Sequence, residues 1–302
     1  MKLERLTYYL PFTPYPYRGG CIECPVCQDH SGKRVSSLDR RFKRLPTFAC
    51  GNCGLLFTNP MPTDEELANY YTNFYRLDYQ GAVDTPSDRH LEKRQMEATG
   101  RISCIENYLK PGAQTLDVGC GSGEFVTGLL QLGHDAFGLE PGSTYGNFAR
   151  SLHGDRIQVQ GWQDATYSNR FDLVSCFHVL EHLRDPLAAL RKFAEWTAPD
   201  GLVYIEVPNM GEGSPSKGMG AFHFAHVIGF NHHNLILAGL HSGLQPKVIV
   251  SPTAIIFEHG TNVHGALEAE KGKQLTDSLY SKNRPFTNYI RYQLGKIWKL
   301  HR

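Results

Sequence analysis

The stretch Leu116-Asp117-Val118-Gly119-Cys120-Gly121-Ser122-Gly123, followed downstream by Leu139-Glu140, decides the architecture of this chain. An apolar run leads into three glycines at alternate positions, and a second apolar run ends on an acid. Glycine takes left-handed turns without strain and lets a ligand touch main-chain N–H groups with no Cβ in the way. An acid at the end of the next strand is placed to accept both hydroxyls of a ribose, as acids do in doubly wound α/β sheets.

Spacing narrows the ligand. A dinucleotide fingerprint reads G-x-G-x-x-G, its third glycine opening a helix over the pyrophosphate. Here the run is G-x-G-x-G, and Glu124 stands where the last glycine of the fingerprint belongs. A carboxylate there repels a pyrophosphate and suits a cofactor that carries positive charge. No G-x-x-x-x-G-K-[ST] run occurs, which argues against a nucleoside triphosphate.

These residues resemble the class I S-adenosylmethionine-dependent methyltransferases, whose first motif is similar to Asp117 through Gly123 and whose second-strand acid is similar to Glu140. The resemblance implies that the glycine turn holds the methionine part of the cofactor and that Glu140 holds the ribose. It continues at Gly161-Trp162-Gln163-Asp164, where the family places its adenine contacts, and at Phe171-Asp172-Leu173-Val174. His178-Val179-Leu180-Glu181-His182-Leu183-Arg184-Asp185-Pro186 resembles the family's fourth-strand signature. The cofactor-binding residues so implied are Asp117, Gly119, Cys120, Gly121, Gly123, Glu140, Pro141, Trp162, Gln163, Phe177 and His178, within a match spanning residues 110–260.

Composition bounds the rest. A length of 302 residues allows one large domain and something small beside it, since single cores grow to roughly 200–250 residues. A net charge of +1 leaves no basic footprint for nucleic acid. The opening Met1-Lys2-Leu3-Glu4-Arg5 lacks the pattern of a secretory signal, and no apolar run approaches the roughly 20 residues that span a bilayer. Eight cysteines without an export signal read as thiols or metal ligands. A soluble, cytoplasmic protein is expected.

Four of those cysteines form a second signal. Cys24-Pro25-Val26-Cys27 and Cys50-Gly51-Asn52-Cys53 make a C-x2-C pair of pairs with 22 residues between, close to the zinc-ribbon spacing. Four thiolates fill a tetrahedral Zn²⁺, so such a site is structural and leaves no open position for chemistry. Gly54 follows the second pair as a tight knuckle needs, while Gln28 holds the matching place after the first. Cys21 with Cys24 offers an alternative first pair, and a redox role for Cys24 and Cys27 gives the second pair nothing to do. Arg40-Arg41-Phe42-Lys43-Arg44, between the pairs, reads as a solvated hairpin face.

Beyond the ribbon, Thr63 and Glu66 form a capping box that starts a helix. The run from Cys50 through Leu55, Phe57, Asn59, Pro60 and Pro62 to Tyr70-Tyr71 is similar to a methyltransferase subgroup with an N-terminal zinc module. That resemblance extends the match to residues 20–260 and implies an acceptor among nucleotide-linked sugars or glycans, with sugar C-methyltransferases as the nearest type.

The expected fold is α/β: a doubly wound, Rossmann-like, seven-stranded methyltransferase sheet with a small N-terminal zinc ribbon. Residues 1–62 hold an aromatic, proline-rich segment and the ribbon, 63–110 a helical linker, 111–260 the main domain and 261–302 a helical tail. Within the main domain, apolar runs at 114–118, 135–139, 156–160, 171–177, 201–207, 245–250 and 253–258 read as strands, and helices fall at 123–132, 143–153, 186–198 and 232–242. Such β/α alternation implies a parallel sheet with its ligand beyond the strand C-termini. Residues 208–230 lack a period and read as a lid-like insertion. In the tail, Ile290, Leu294, Ile297 and Trp298 share one helical face with basic residues off it, which suits packing on its own domain or a second subunit, or alternatively peripheral contact with a membrane surface.

Methyl transfer from a sulfonium needs the acceptor aligned with the methyl and, for a hydroxyl or carbon acid, a base. Histidine is the default base near neutral pH. His178 and His182, with Glu181, follow the fourth strand. The string also spells an inverted zinc-protease motif, which the exit from a buried strand into Asp185-Pro186 opposes. Some quinone-directed relatives hold a divalent ion on a similar cluster, so the resemblance leaves a metal at His178, Glu181 and His182 open, beside a role in bracing the loop. His226, within Phe222-His223-Phe224-Ala225-His226-Val227-Ile228-Gly229-Phe230, is similar to the base of the sugar C-methyltransferases, although Ala225 replaces the usual preceding glutamate. His232 and His233 start a helix and are expected exposed.

The reading is a methyltransferase that uses S-adenosylmethionine, with structural Zn²⁺, on carbon or oxygen of a small polar acceptor. Alternatives are O-methylation of an aromatic or lipid-like, quinone-type acceptor, and a non-catalytic adaptor that keeps the cofactor fold and binds a macromolecule.

Overall fold

A computed structural model of the chain describes residues 10–75, 86–211, 219–260 and 265–280, with 286, 287, 289–291 and 293 beyond them. The cysteine-bearing segment forms strands β1 (Gly32–Leu38), β2 (Arg44–Cys50) and β3 (Leu56–Thr58). Helix α1 (Asp64–Tyr70) starts at the expected capping box: the Glu66 amide donates to Thr63 Oγ1 and the Thr63 amide donates to Glu66 Oε2. Three acids in its first turn complement the helix dipole. A π-helical turn (Tyr71–Tyr75) follows, and then α2 (Asp88–Ile105), capped by Ser87.

The main domain then alternates strand and helix. Its elements are β4 (Gln114–Val118), α3 (Glu124–Gln131), β5 (Asp135–Leu139), α4 (Ser143–His153), β6 (Ile157–Gln158), β7 (Phe171–Phe177), α5 (Pro186–Trp196) and β8 (Thr197–Glu206). After them come β9 (Ile228–Gly229), α6 (His232–Leu240), β10 (Leu244–Ser251), β11 (Ala254–His259) and α7 (Gly265–Leu279). The seven-stranded sheet runs β10-β11-β8-β7-β4-β5-β6. Pairs from β6 through β8 are parallel, and β11 is antiparallel to both β8 and β10. Strand order reverses at β4, which has β5 on one side and β7 on the other, so the ligand crevice of such a sheet opens at its C-terminal end.

Alternating side chains fill both faces. Leu116, Val118, Val174 and Cys176 pack with Leu190, Phe193 and Leu235 of α5 and α6. Leu173, Phe177 and Tyr204 pack on the other side with Ile102, Phe125 and Ala149 of α2, α3 and α4. Several boundaries differ from expectation, those of β6, α5, β8 and α6 by two to four residues. Strand β6 spans only two residues: a tight 3-10 turn (Gly154–Arg156) takes its first expected position, and pairing with β5 ends at Gln158. Helix α5 stops at Trp196 because Thr197 already begins β8, its hydroxyl donating to the Phe193 carbonyl at 2.7 Å.

The smaller sheet has the order β1-β2-β3-β9, so the insertion at 208–230 contributes its fourth strand. Residues 212–218 of that insertion lie outside the described residues, as do Tyr8, Tyr9 and most of the expected amphipathic tail helix. Residues 290, 291 and 293 of the tail are helical.

Two expectations of exposure are corrected. Lys43, placed on a solvated hairpin face, is only 2% exposed: its ammonium donates to Thr13 Oγ1 at 2.7 Å and lies 5.0 Å from the Tyr15 ring centroid. Burial of that ammonium is bearable because the Thr13 acceptor and the Tyr15 ring replace its water. His233 is held by Glu268, with 2.7 Å between Nδ1 and Oε2, and His232 Nδ1 contacts the Pro252 carbonyl at 2.9 Å. Helix α7 supplies the glutamate from a distant part of the chain, which local sequence does not announce.

Candidate active site

One cavity of about 1710 Å³ opens at the C-terminal ends of β4, β5 and β7. Every expected cofactor residue lines it except Gly123. Gly123 instead caps α3 with φ +91°, against Ala149. Gly119 has φ +78°, and a Cβ there would meet Val179 at 2.4 Å. Only glycine fits that turn.

Glu140 is already engaged with the turn. Gly121 donates its amide to Glu140 Oε2 at 3.0 Å, and Gly142 donates to Oε1 at 2.7 Å. Burial raises the Glu140 pKa, and these two amides pull it back. Asp117 lies deeper, 5% exposed, accepting from Ser175 Oγ at 2.7 Å. Burial pushes its carboxyl up to about 7, against the pull of Ser175 and Arg101. Glu124 lies at the N-terminus of α3 and accepts from Ser122 Oγ at 2.6 Å, keeping that helix end anionic.

His178 ends β7 in a left-handed conformation, φ +58°. Its Nε2 lies 3.1 Å from Glu206 Oε1 and its Nδ1 3.6 Å from Glu181 Oε1. Burial opposes protonation, yet the two carboxylates prevail and hold its pKa near 9. Arg101 closes the group from α2, donating to both Glu206 oxygens at 2.8 and 3.1 Å while lying over the Phe177 ring. Burial raises the Glu206 pKa, but His178 and Arg101 bring it down to about 2.

Tyr71 and His182 also line the cavity. The Tyr71 hydroxyl lies 2.8 Å from His182 Nδ1, which is also 2.8 Å from the Ala225 carbonyl. A carbonyl only accepts, so Nδ1 carries the proton and Nε2 keeps its lone pair. That nitrogen lies 3.7 Å from Glu181 Oε1, and His226 Nε2 lies 3.8 Å from the same oxygen. Glu181 is 1% exposed, and neither of its oxygens has a hydrogen-bond partner. Burial, with His223 and His182 nearby, keeps the His226 pKa well below the ordinary imidazole value. His226 stands behind His182, their ring centroids 4.7 Å apart, and off the cavity wall.

The four expected metal-binding cysteines converge. Cys24, Cys27, Cys50 and Cys53 bring their sulfurs within 4.8 Å of one another, with 3.6 Å between Cys24 and Cys53 and 3.4 Å between Cys27 and Cys50. A tetrahedron with ~2.3 Å Zn–S bonds has edges of about 3.8 Å, so the set fits Zn²⁺. Cys21 is exposed and outside the group. The two knuckles match in backbone, with φ +58° at Gln28 and +73° at Gly54. A Cβ at Gly54 would meet the Gly272 carbonyl at 2.5 Å, whereas Gln28 faces the cavity together with Ile22, Glu23 and Pro25. The cysteine module therefore forms part of the cavity wall.

Sequence reasoning missed Tyr71, Arg101 and Glu206. Tyr71 had a weak signal in the Tyr70-Tyr71 pair after the capping box. Arg101 and Glu206 come together across 105 positions with none.

Residues 88–238 match the sequence family described as a methyltransferase domain. The chain belongs to that family, and its sheet is the class I, S-adenosylmethionine-dependent form of the fold. The ubiquinone biosynthesis O-methyltransferase of Proteus mirabilis is 35% identical over 106 residues, 32% of this chain and 43% of that protein. The enzyme of the same name from Acinetobacter baylyi is 27% identical over 135 residues, 40% of this chain and 56% of that protein. The chain thus spans about half the length of these curated relatives. In structure it is similar to Burkholderia thailandensis 1,6-didemethyltoxoflavin-N1-methyltransferase with bound S-adenosylhomocysteine, with a TM-score of 0.50, 14% identity, and 70% of this chain and 97% of that chain covered. Among the described residues no helix is long and apolar enough to cross a membrane.

Proposed function

We propose that this chain transfers a methyl group from S-adenosylmethionine to a hydroxyl oxygen of a phenolic, quinone-type acceptor. The observation that carries this reading is the group Tyr71, His182, Glu181 and His226 on and behind the wall of the cavity that the glycine turn and Glu140 also line. At about 1710 Å³ the cavity exceeds the roughly 300–1,000 Å³ of a single small-molecule site, which suits cofactor and acceptor together. The similarity to ubiquinone biosynthesis O-methyltransferases favours a phenolic acceptor. The nucleotide-linked sugar expected from the N-terminal module has no counterpart among those relatives, and a sugar is kept as the comparison in the test.

In this account Gly121 and Glu140 orient the cofactor, Trp162 and Gln163 border its adenine, and the acceptor lies toward Tyr71 and His182. His182, fixed in one tautomer by the Ala225 carbonyl, takes the acceptor proton, and Glu181 stabilises the imidazolium that forms. His226 supports that charge from behind rather than meeting the acceptor. His178, protonated near neutral pH, serves as a fixed cation between Glu181 and Glu206 and is no base.

A second reading is favoured by one observation: a ring nitrogen each of His182 and His226 and a Glu181 oxygen lie within 4.8 Å of one another, while the Glu181 oxygens lack hydrogen bonds. A divalent cation there would use His226 where sequence suggested His178, and it would lower the pKa of an acceptor hydroxyl directly. The test is transfer of labelled methyl from S-adenosylmethionine to caffeate and, in parallel, to a deoxysugar nucleotide, with and without a chelator after zinc has been retained on the cysteines. Turnover of caffeate alone supports the phenolic acceptor; turnover of the sugar nucleotide alone overturns it. Activity unchanged by the chelator favours the His182 base over the cation.

A further inference from the structure

His226 reaches its cluster on a segment that belongs, by hydrogen bonding, to the cysteine module. Strand β9 pairs with β3 in the register Leu56 to Gly229 and Phe57 to Ile228. The Thr58 amide donates to the Val227 carbonyl at 2.8 Å, next to His226. At the near end of the segment, the Arg40 amide donates to the Phe222 carbonyl at 3.0 Å. Between these ties Phe224 is buried against Tyr15 and Tyr70, with centroids 4.6 and 4.8 Å away.

The far end is tied to the second cysteine knuckle. Asn231 caps α6 and donates through Nδ2 to the Gly272 carbonyl and to Thr276 Oγ1, both at 3.1 Å. The Thr276 hydroxyl in turn donates to the Gly54 carbonyl at 2.7 Å. Gly54 closes the Cys50–Cys53 knuckle, its amide donating to the Cys50 carbonyl at 3.1 Å. Strand β2, paired with β3, ends on Cys50 itself. The cysteine knuckles thus stand at the root of the ties through β3 and Gly54, while the Met210 amide, donating to the Phe230 carbonyl at 2.8 Å, and His182 Nδ1, 2.8 Å from the Ala225 carbonyl, hold the same segment from the main domain. The cofactor side is built otherwise: the glycine turn and Glu140 hang from β4 and β5, where Gly119 and Cys120 donate to the Leu139 carbonyl at 2.7 and 3.0 Å.

We infer that metal occupancy of the Cys24, Cys27, Cys50 and Cys53 site positions the His226 segment, and through it the acceptor-side cluster, while leaving the cofactor side in place. Helix α7 is part of this brace, through Thr276 and Gly272. The inference rests on the reading of Glu181, His182 and His226 as the acceptor-side cluster, but its test consults no acceptor. A small ribbon has too little core of its own to keep its knuckles closed without the metal, so the strain of losing it passes to β3 and then to β9.

The experiment removes zinc from the full chain with a membrane-permeant chelator under reducing conditions, and then restores it. Amide exchange is followed by mass spectrometry, and S-adenosylhomocysteine binding by calorimetry. Metal-free protein is expected to exchange residues 222–231 at least ~10-fold faster, to keep its exchange at 114–140 and to bind S-adenosylhomocysteine within about twofold of the loaded protein. Added zinc should reverse the change. Faster exchange confined to the knuckles overturns the inference, and so does loss of S-adenosylhomocysteine binding along with the metal. Because cysteine variants can fail to fold, Thr276→Val gives a second arm that leaves all four thiolates intact. It is expected to speed exchange at 228–231 with zinc still bound, and unchanged exchange there contradicts the link through α7. Failure of the proposed function would show separately, as no methyl transfer by the zinc-loaded chain.

Discussion

His178 and Glu206 are joined side chain to side chain, Nε2 to Oε1 at 3.1 Å, and also by main chain, where the His178 amide donates to the Glu206 carbonyl at 2.8 Å. The pair has a definite pH window. His178 has a folded pKa near 9, raised from the ordinary 6.5, so its contribution is complete below 6.5 and is lost as pH rises through 9. Glu206 is depressed from 4.5 to about 2, so its contribution is complete above 4.5 and is lost as pH falls through 2. Thermal melts of the chain and of His178→Gln should therefore differ most between those limits, with the gap closing toward pH 10. A gap that stays constant from pH 6 to 10 contradicts the assignment.

Asp117 behaves in the opposite sense. Its carboxyl has a folded pKa of about 7 against an ordinary 3.8, so keeping it ionised in its buried site costs stability increasingly from pH 4 to 7 and by a constant amount above. Asp117→Asn keeps the shape and removes the charge. It is expected to stabilise the ligand-free chain by a few kcal/mol at pH 8, about 4–8 °C in Tm, with the gain vanishing near pH 4. Equal gains at both pH values contradict a buried, ionising carboxyl.

Glu181 is the charge around which three imidazoles gather. Glu181→Gln should lower the methyl-transfer rate at least ~100-fold in single turnover while leaving S-adenosylhomocysteine affinity unchanged. His182→Gln should cost more than His226→Gln, because only His182 lines the cavity. The reverse order restores His226 as the base.

The two cysteine knuckles share a backbone and differ in tolerance. Gly54→Ala puts a Cβ 2.5 Å from the Gly272 carbonyl at a left-handed residue, so a loss of at least ~2 kcal/mol and faster zinc release to a chelator are expected. Gln28→Gly relieves a left-handed residue that faces open cavity, and it should be neutral or stabilising by up to about 1 kcal/mol. Melts and zinc-release rates of the two variants measure the asymmetry; equal losses contradict it.

Much of this was legible in the chain because it is local. The glycine turn, the acid at Glu140, the capping box at Thr63 and the seven strands each depend on neighbours a few residues away, where period and turn chemistry speak directly. The four cysteines were legible from spacing, which also offered Cys21 with Cys24 as a first pair, and the structure leaves Cys21 outside the group. What escaped depends on packing between distant segments. Lys43 looks like one charge in a basic run until Thr13 and Tyr15 close over it. His233 looks exposed until α7 brings Glu268. The pairing of β9 with β3, which puts His226 behind His182, joins segments about 170 residues apart through only two residue pairs, too short a strand to leave a pattern.

The central claim is that the turn at 117–123 and Glu140 bind S-adenosylmethionine, and calorimetry with S-adenosylhomocysteine tests it most directly. Because Gly121 and Gly142 already hold the Glu140 carboxylate at the turn, micromolar-scale binding at one site per chain is predicted. Glu140→Ala, with an unchanged circular dichroism spectrum, should weaken it at least ~30-fold, as the loss of charged hydrogen bonds to a ribose implies. An absence of binding heat from the unaltered chain, or equal affinity in Glu140→Ala, would contradict the account.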